Sequence, residues 1–162
     1  MTEEQILLSK DLSRMSENEA VLYGIWSCFE NEIPPLYKEK DLSHYFLRKN
    51  GENTQEIHYN PIQRNIEFES VIYYNNPDLL RLTENKLESI IREFSKKYHS
   101  FEFKYSIQRV PNFGLDVPLT ILEIKYSGKI RFKERNKSKL LENIRNFICT
   151  GFKIEKEIGA LI

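Results

Sequence analysis

Phe101, Phe103, Tyr105 and Ile107 alternate with Glu102, Lys104, Ser106 and Gln108. A period of two sends the apolar four to one face of a β-strand and the polar four to the other. The same alternation sets Ile66, Phe68, Ser70, Ile72 and Tyr74 against Glu67, Glu69, Val71 and Tyr73, and it returns at Leu122, Ile124 and Tyr126. Strands that are apolar on one side only do not suit a sheet buried on both faces, as parallel sheets are. This pattern holds the chain to an antiparallel sheet with one covered face, and something apolar has to cover it.

Helical spacing supplies the cover. Val21, Leu22, Ile25, Trp26 and Phe29 form a stripe behind Ser16-Glu17-Asn18-Glu19, a capping box in which side chains at both ends satisfy orphan backbone N–H groups. Thr2-Glu3-Glu4-Gln5 has the same form ahead of Ile6, Leu8, Leu12 and Met15. Two helices are therefore expected before Pro34-Pro35 ends them. Asn76-Pro77 opens a third, with Leu80, Leu87, Ile90, Ile91, Phe94 and Tyr98 on one side. Asn136 caps a fourth, carrying Leu140, Leu141, Ile144, Phe147 and Ile148, and Gly151 is expected to stop it.

The connections follow from turn residues. Ser127-Gly128 predicts a two-residue hairpin that returns the chain as a strand over 129–133. Pro111-Asn112-Phe113-Gly114 predicts a loop. Residues 42–47 fit a strand or a short helix, Asn50-Gly51 and Asn53 mark a turn, and residues 57–59 fit a short strand. Phe152, Ile154 and Ile158 read as a final strand or a tail. The expected architecture is α+β: a helical arm over residues 1–35, then a sandwich domain over residues 36–162 whose antiparallel sheet carries helices on one face. A ferredoxin-like order across 66–158 leads, and a layout with extra strands at 42–47 and 57–59 is the alternative.

Chemistry-bearing motifs are sparse. His44, His58 and His99 lack metal-site spacing, and no catalytic residue, metal ligand or cofactor is predicted. Cys28 and Cys149 do not form a disulfide framework or a zinc site, and they read as reduced thiols, with Cys149 on the apolar side of its helix. No run approaches the ~18 apolar residues of a membrane span. The acidic start, without a signal-peptide n-region, gives a cytoplasmic expectation.

Charge is the feature that points outward. The chain is neutral overall, yet residues 104–162 hold 12 Lys/Arg against 6 Asp/Glu. Lys129, Arg131, Lys133, Arg135, Lys137 and Lys139 fall on every second residue. Such asymmetry signals an electrostatic partner. The helical arm, with 7 Asp/Glu over residues 1–33 and the apolar Tyr23, Trp26 and Phe29, offers an opposite surface. Lys137 and Lys139 read as the incidental start of a helix.

The function expected from this pattern is a non-enzymatic interaction or assembly module. Its partner is protein, reached by self-association or within a larger complex through Lys129, Arg131, Lys133 and Arg135 and through Tyr23, Trp26 and Phe29. In outline the layout is similar to small charge-segregated domains of virion neck and tail-completion proteins, which implies an assembly role. Binding of single-stranded nucleic acid or a phosphate chain is the first alternative, although only Tyr73 is expected on the open face to stack on a base. Metal-dependent triphosphate hydrolysis is the second. Tunnel-type triphosphatases use acidic and basic strand faces, and Glu67 with Glu69 would hold the cation, but Val71 stands where their Glu-x-Glu-x-Lys pattern has lysine.

Overall fold

The computed structural model describes residues 12–30, 34–75, 84–110 and 119–162. The Thr2 capping box, Leu80, the Asn76-Pro77 helix start and the 111–114 loop lie outside them. Six strands form one antiparallel sheet in the order β1-β2-β3-β4-β6-β5. They are β1 (Leu36–Lys40), β2 (Ser43–Asn50), β3 (Asn53–Asn60), β4 (Asn65–Asn75), β5 (Phe101–Val110) and β6 (Leu119–Arg131). Three helices, α1 (Glu17–Ser27), α2 (Glu84–Lys97) and α3 (Lys137–Leu161), complete the described fold.

The alternating residues sort as expected. Phe68, Ile72, Phe101, Leu122, Ile124 and Tyr126 are buried, while Glu67, Glu69, Glu102, Lys104 and Lys125 are exposed. All three helices cover the apolar side. Phe29, in the turn that follows α1, stacks on Phe46, Phe94 of α2 meets Phe103, and Phe147 of α3 stacks on Phe101. The described part of the helical arm therefore folds back: Val21, Ile25 and Phe29 belong to the same core cluster as the sheet residues. Its start is capped by Ser16, whose hydroxyl accepts the Glu19 amide at 3.2 Å. Arg64 binds the Glu17 carboxylate, and the Tyr59 hydroxyl donates to Asn18 at 2.7 Å. These bonds tie α1 to the end of the sheet where β3 turns into β4.

The ferredoxin-like order is not found. Residues 36–75 form a four-stranded meander, so β3 occupies the place beside β4 where a last strand would pair. That last strand does not exist, because Phe152, Ile154 and Ile158 are buried positions of α3, which runs on to Leu161. Gly151 does not stop the helix. A Cβ there would lie 2.7 Å from the Phe68 ring, so the residue is glycine to let helix and sheet approach. Tyr126 locks that approach by donating its hydroxyl to the Gly151 carbonyl at 2.6 Å. Farther along α3, Glu155 accepts from Gln55 and lies 3.7 Å from Arg48, whose guanidinium covers the Phe152 ring.

The hairpin at Ser127-Gly128 is likewise absent. β6 passes straight through both residues, pairing Ser127 with Glu69 and Gly128 with Phe68 on one side and with Glu102 and Phe101 on the other. A turn there would forfeit two ladders at once. The basic run 129–133 is thus the end of an interior strand and the chain beyond it, not a return strand at the sheet's edge. No described helix is long and apolar enough to cross a membrane.

Candidate functional site

The site begins with a mismatch in strand length. α2 ends as the Tyr98 amide bonds the Phe94 carbonyl at 2.8 Å, and the Phe101 amide closes a turn onto the Tyr98 carbonyl at 3.1 Å. That turn sits directly on Gly128, where a Cβ would lie 2.7 Å from the Ser100 carbonyl oxygen. Pairing between β5 and β6 stops there, at Phe101 opposite Gly128. Pairing between β4 and β6 continues to Asn65 opposite Arg131. The Phe132 amide then bonds the Arg64 carbonyl at 2.8 Å. By the alternation of an antiparallel ladder, the Arg131 main chain faces the other way, toward the side that β5 has vacated.

α3 walls that vacated side, leaving a groove of about 520 Å³. Its polar lining includes the cations Lys97, Arg131 and Lys133, the carboxylate Glu134, and His99, Asn143 and Asn146. Asn136 places α3 there by accepting the Ser138 and Lys139 amides at 3.0 and 3.3 Å. Lys97 is committed to Glu157 at 3.3 Å and lies over the Tyr98 ring, and the Glu157 hydrogen bond pushes its ammonium pKa up. Glu134, the carboxylate on the groove wall, accepts the Asn136 amide at 3.1 Å. Arg131 and Lys133 are exposed and have no carboxylate within 4 Å among the described residues.

The predicted basic stripe divides. Arg131 and Lys133 enter the groove, while Arg135 is exposed outside its lining. Lys129 lies on the open face of the sheet, 3.3 Å from Glu67. Lys137 is not incidental, since its ammonium donates to the Met15 carbonyl and braces the start of α1. Of the arm residues, Phe29 is buried against Phe46 and Phe152, and Tyr23 is half-buried. Trp26 meets Phe46 and Tyr37 and is 40% exposed.

Beside the groove, across the 98–100 turn, the open face forms a second recess whose lining includes Glu56, Glu67, Glu69 and Glu102 together with Lys129. Register sets Glu56 directly against Glu69. No group of three or more His, Cys, Asp or Glu among the described residues is placed to hold a metal ion. One expectation about this face changes, and so does one about a histidine on the covered face. Tyr45 also lies on the open face, yet its ring is stacked 4.3 Å from His58 and does not stand free. His44, expected at the surface, is buried between Tyr37 and Tyr59, with its Nδ1 2.6 Å from the Tyr37 hydroxyl.

Lys97, His99, Asn143 and Asn146 escaped the sequence reading. The helical spacing of Asn143 and Asn146 marked an exposed side of α3, but nothing local says that β5 starts too late to cover it. Comparison of the chain with models of known protein families, with curated proteins and with solved structures gives no match.

Proposed function

We propose that this chain is a non-enzymatic protein-interaction module of a larger assembly, which takes an acidic extended segment of a partner protein along the overhanging end of β6. The observation that carries this reading is the overhang: β6 outruns β5 beside a groove holding Arg131 and Lys133, two cations with no carboxylate within 4 Å among the described residues. Strand addition uses main-chain hydrogen bonds for affinity and alternate side chains for specificity. Alternate residues on the incoming strand stand ~6.6 Å apart, so carboxylates at that spacing can follow Arg131 and Lys133.

Lysine and arginine on a strand can serve only to keep an edge from aggregating. β1 fits that description, with Lys38, Glu39 and Lys40 on an exposed outer strand. The β6 overhang differs in being recessed between a turn and a helix, where the cations guard no flat edge. Protein is favoured over single-stranded nucleic acid because Phe101, Phe132 and Phe147 in the groove are buried, and the half-buried Tyr98 ring is already engaged by Phe94 and the Lys97 ammonium.

The test is fluorescence anisotropy with a labelled peptide of alternating Glu and Val, with single-stranded RNA as the comparison. The peptide should bind and weaken as salt rises. Arg131→Glu with Lys133→Glu should lower affinity at least ~10-fold, while Arg135→Glu changes it little. Unchanged binding in the double variant, or tighter binding of RNA than of peptide, overturns the reading. Light scattering across a salt series then reports whether a second copy of the chain supplies the acidic segment.

A further inference from the structure

Packing of α1 on α3 brings together the two cysteines, which are remote in sequence. Gly24 sits against Leu141 and Ile144, and Phe29 meets Phe152 with ring centroids 5.4 Å apart. Cys28, the C-cap of α1, lies between the first pair of contacts and the second, and Cys149 lies between them on α3. Both thiols therefore lie along the same stretch of the α1–α3 seam, and Cys149 is near enough to Cys28 to act on its thiol electrostatically. Cys28 is half-buried, and its Sγ donates to the Gly24 carbonyl at 3.3 Å. Cys149 is exposed, not on the apolar side of its helix as its spacing suggested.

We propose that Cys28 and Cys149 form a reversible intramolecular disulfide that locks α1 onto α3. Peroxide is the oxidant class that balances the step. The Cys149 thiolate attacks one peroxide oxygen, the O–O bond breaks, and hydroxide leaves with a sulfenic acid on Cys149. The Cys28 sulfur then attacks that sulfenic sulfur, the S–O bond breaks, and the oxygen departs as water with the Cys28 proton. Two thiols and one hydrogen peroxide give one disulfide and two waters, and a dithiol reductant reverses the oxidation. Burial first, then the neighbouring Cys149, pushes the Cys28 thiol up to about 12, so closure accelerates as pH rises through the alkaline range.

The full chain is treated with equimolar hydrogen peroxide, denatured, alkylated with iodoacetamide and weighed intact. The expected product is a monomer lighter than the reduced chain by two hydrogens, with neither thiol alkylated. Its protease digest contains one cross-linked pair of peptides holding Cys28 and Cys149, and dithiothreitol restores both alkylation sites. Its melting temperature should exceed that of the reduced chain by roughly 5–10 °C, because the bond closes a long loop in the unfolded chain. Cys28→Ser and Cys149→Ser should each abolish the cross-link, and the peptide map of the natural chain decides the matter if either variant fails to fold. Oxidation of Cys149 to the sulfinic acid with Cys28 still alkylated overturns the proposal. A Cys149–Cys149 dimer as the main product overturns it as well.

Discussion

The two faces of the sheet are built on opposite terms. Under the helices, Phe68 packs edge-on against Phe101, Phe147 and Phe152, and it fills the gap left by Gly151. On the open face, register places Glu56 opposite Glu69 and Lys104 opposite Lys125. Like charges in that relation are unfavourable by up to ~1 kcal/mol. The chain tolerates them because each buried aromatic on the other face contributes several times as much. Stability is therefore concentrated on one side of the sheet, which leaves the other side, and the groove at its end, free to vary in charge.

The sharpest way to break this contrast is Phe68→Ala. It should cost ~3–5 kcal/mol in urea unfolding, as a large buried aromatic does when no neighbour can collapse into its space. A loss below ~1 kcal/mol would mean that the covered face does not hold the fold. Glu69→Lys asks the converse of the open face. It turns the pair with Glu56 into an attractive one and should raise stability by ~0.2–1 kcal/mol by the same measurement, where a clear loss would show that the carboxylate has a structural partner.

Glu157→Gln gives the smallest effect and sharpens the comparison at the rim between α2 and α3. A hydrogen bond from Tyr98, joined by Lys97 and Lys153, holds the Glu157 carboxyl below the usual carboxylate range. A depressed carboxyl stabilises the fold at pH above its unfolded value, and that stabilisation is lost as pH falls through its lower folded value. The difference in stability between the natural chain and the variant should be flat near neutrality and shrink on acidification. A difference that grows in acid would reverse the sign.

The strands of β4 and β5 were legible because alternation over several residues is a strong signal and nothing competed with it. The caps at Ser16 and Asn136 were legible because a cap is a contact within a few residues. Gly128 and Gly151 were misread for one shared reason. Glycine suits both a turn and a close approach, and only the second role applies at each, against Ser100 in one case and Phe68 in the other. Of the groove, the cations Arg131 and Lys133 stood out in the basic run. Lys97, His99, Asn143 and Asn146 did not, because they join those cations through the point at which β5 stops.

Taken alone, the sequence determined that this chain builds a one-sided antiparallel sheet covered by amphipathic helices. Period two and period 3.6 are local properties, read over a few residues at a time. Tertiary structure decided which strands are neighbours, that β6 runs between β4 and β5, and that its last residues project past one partner beside α3. Those outcomes depend on which surfaces come within van der Waals contact across long stretches of chain. A glycine, a thiol or an arginine carries no local mark of the distant group it will meet.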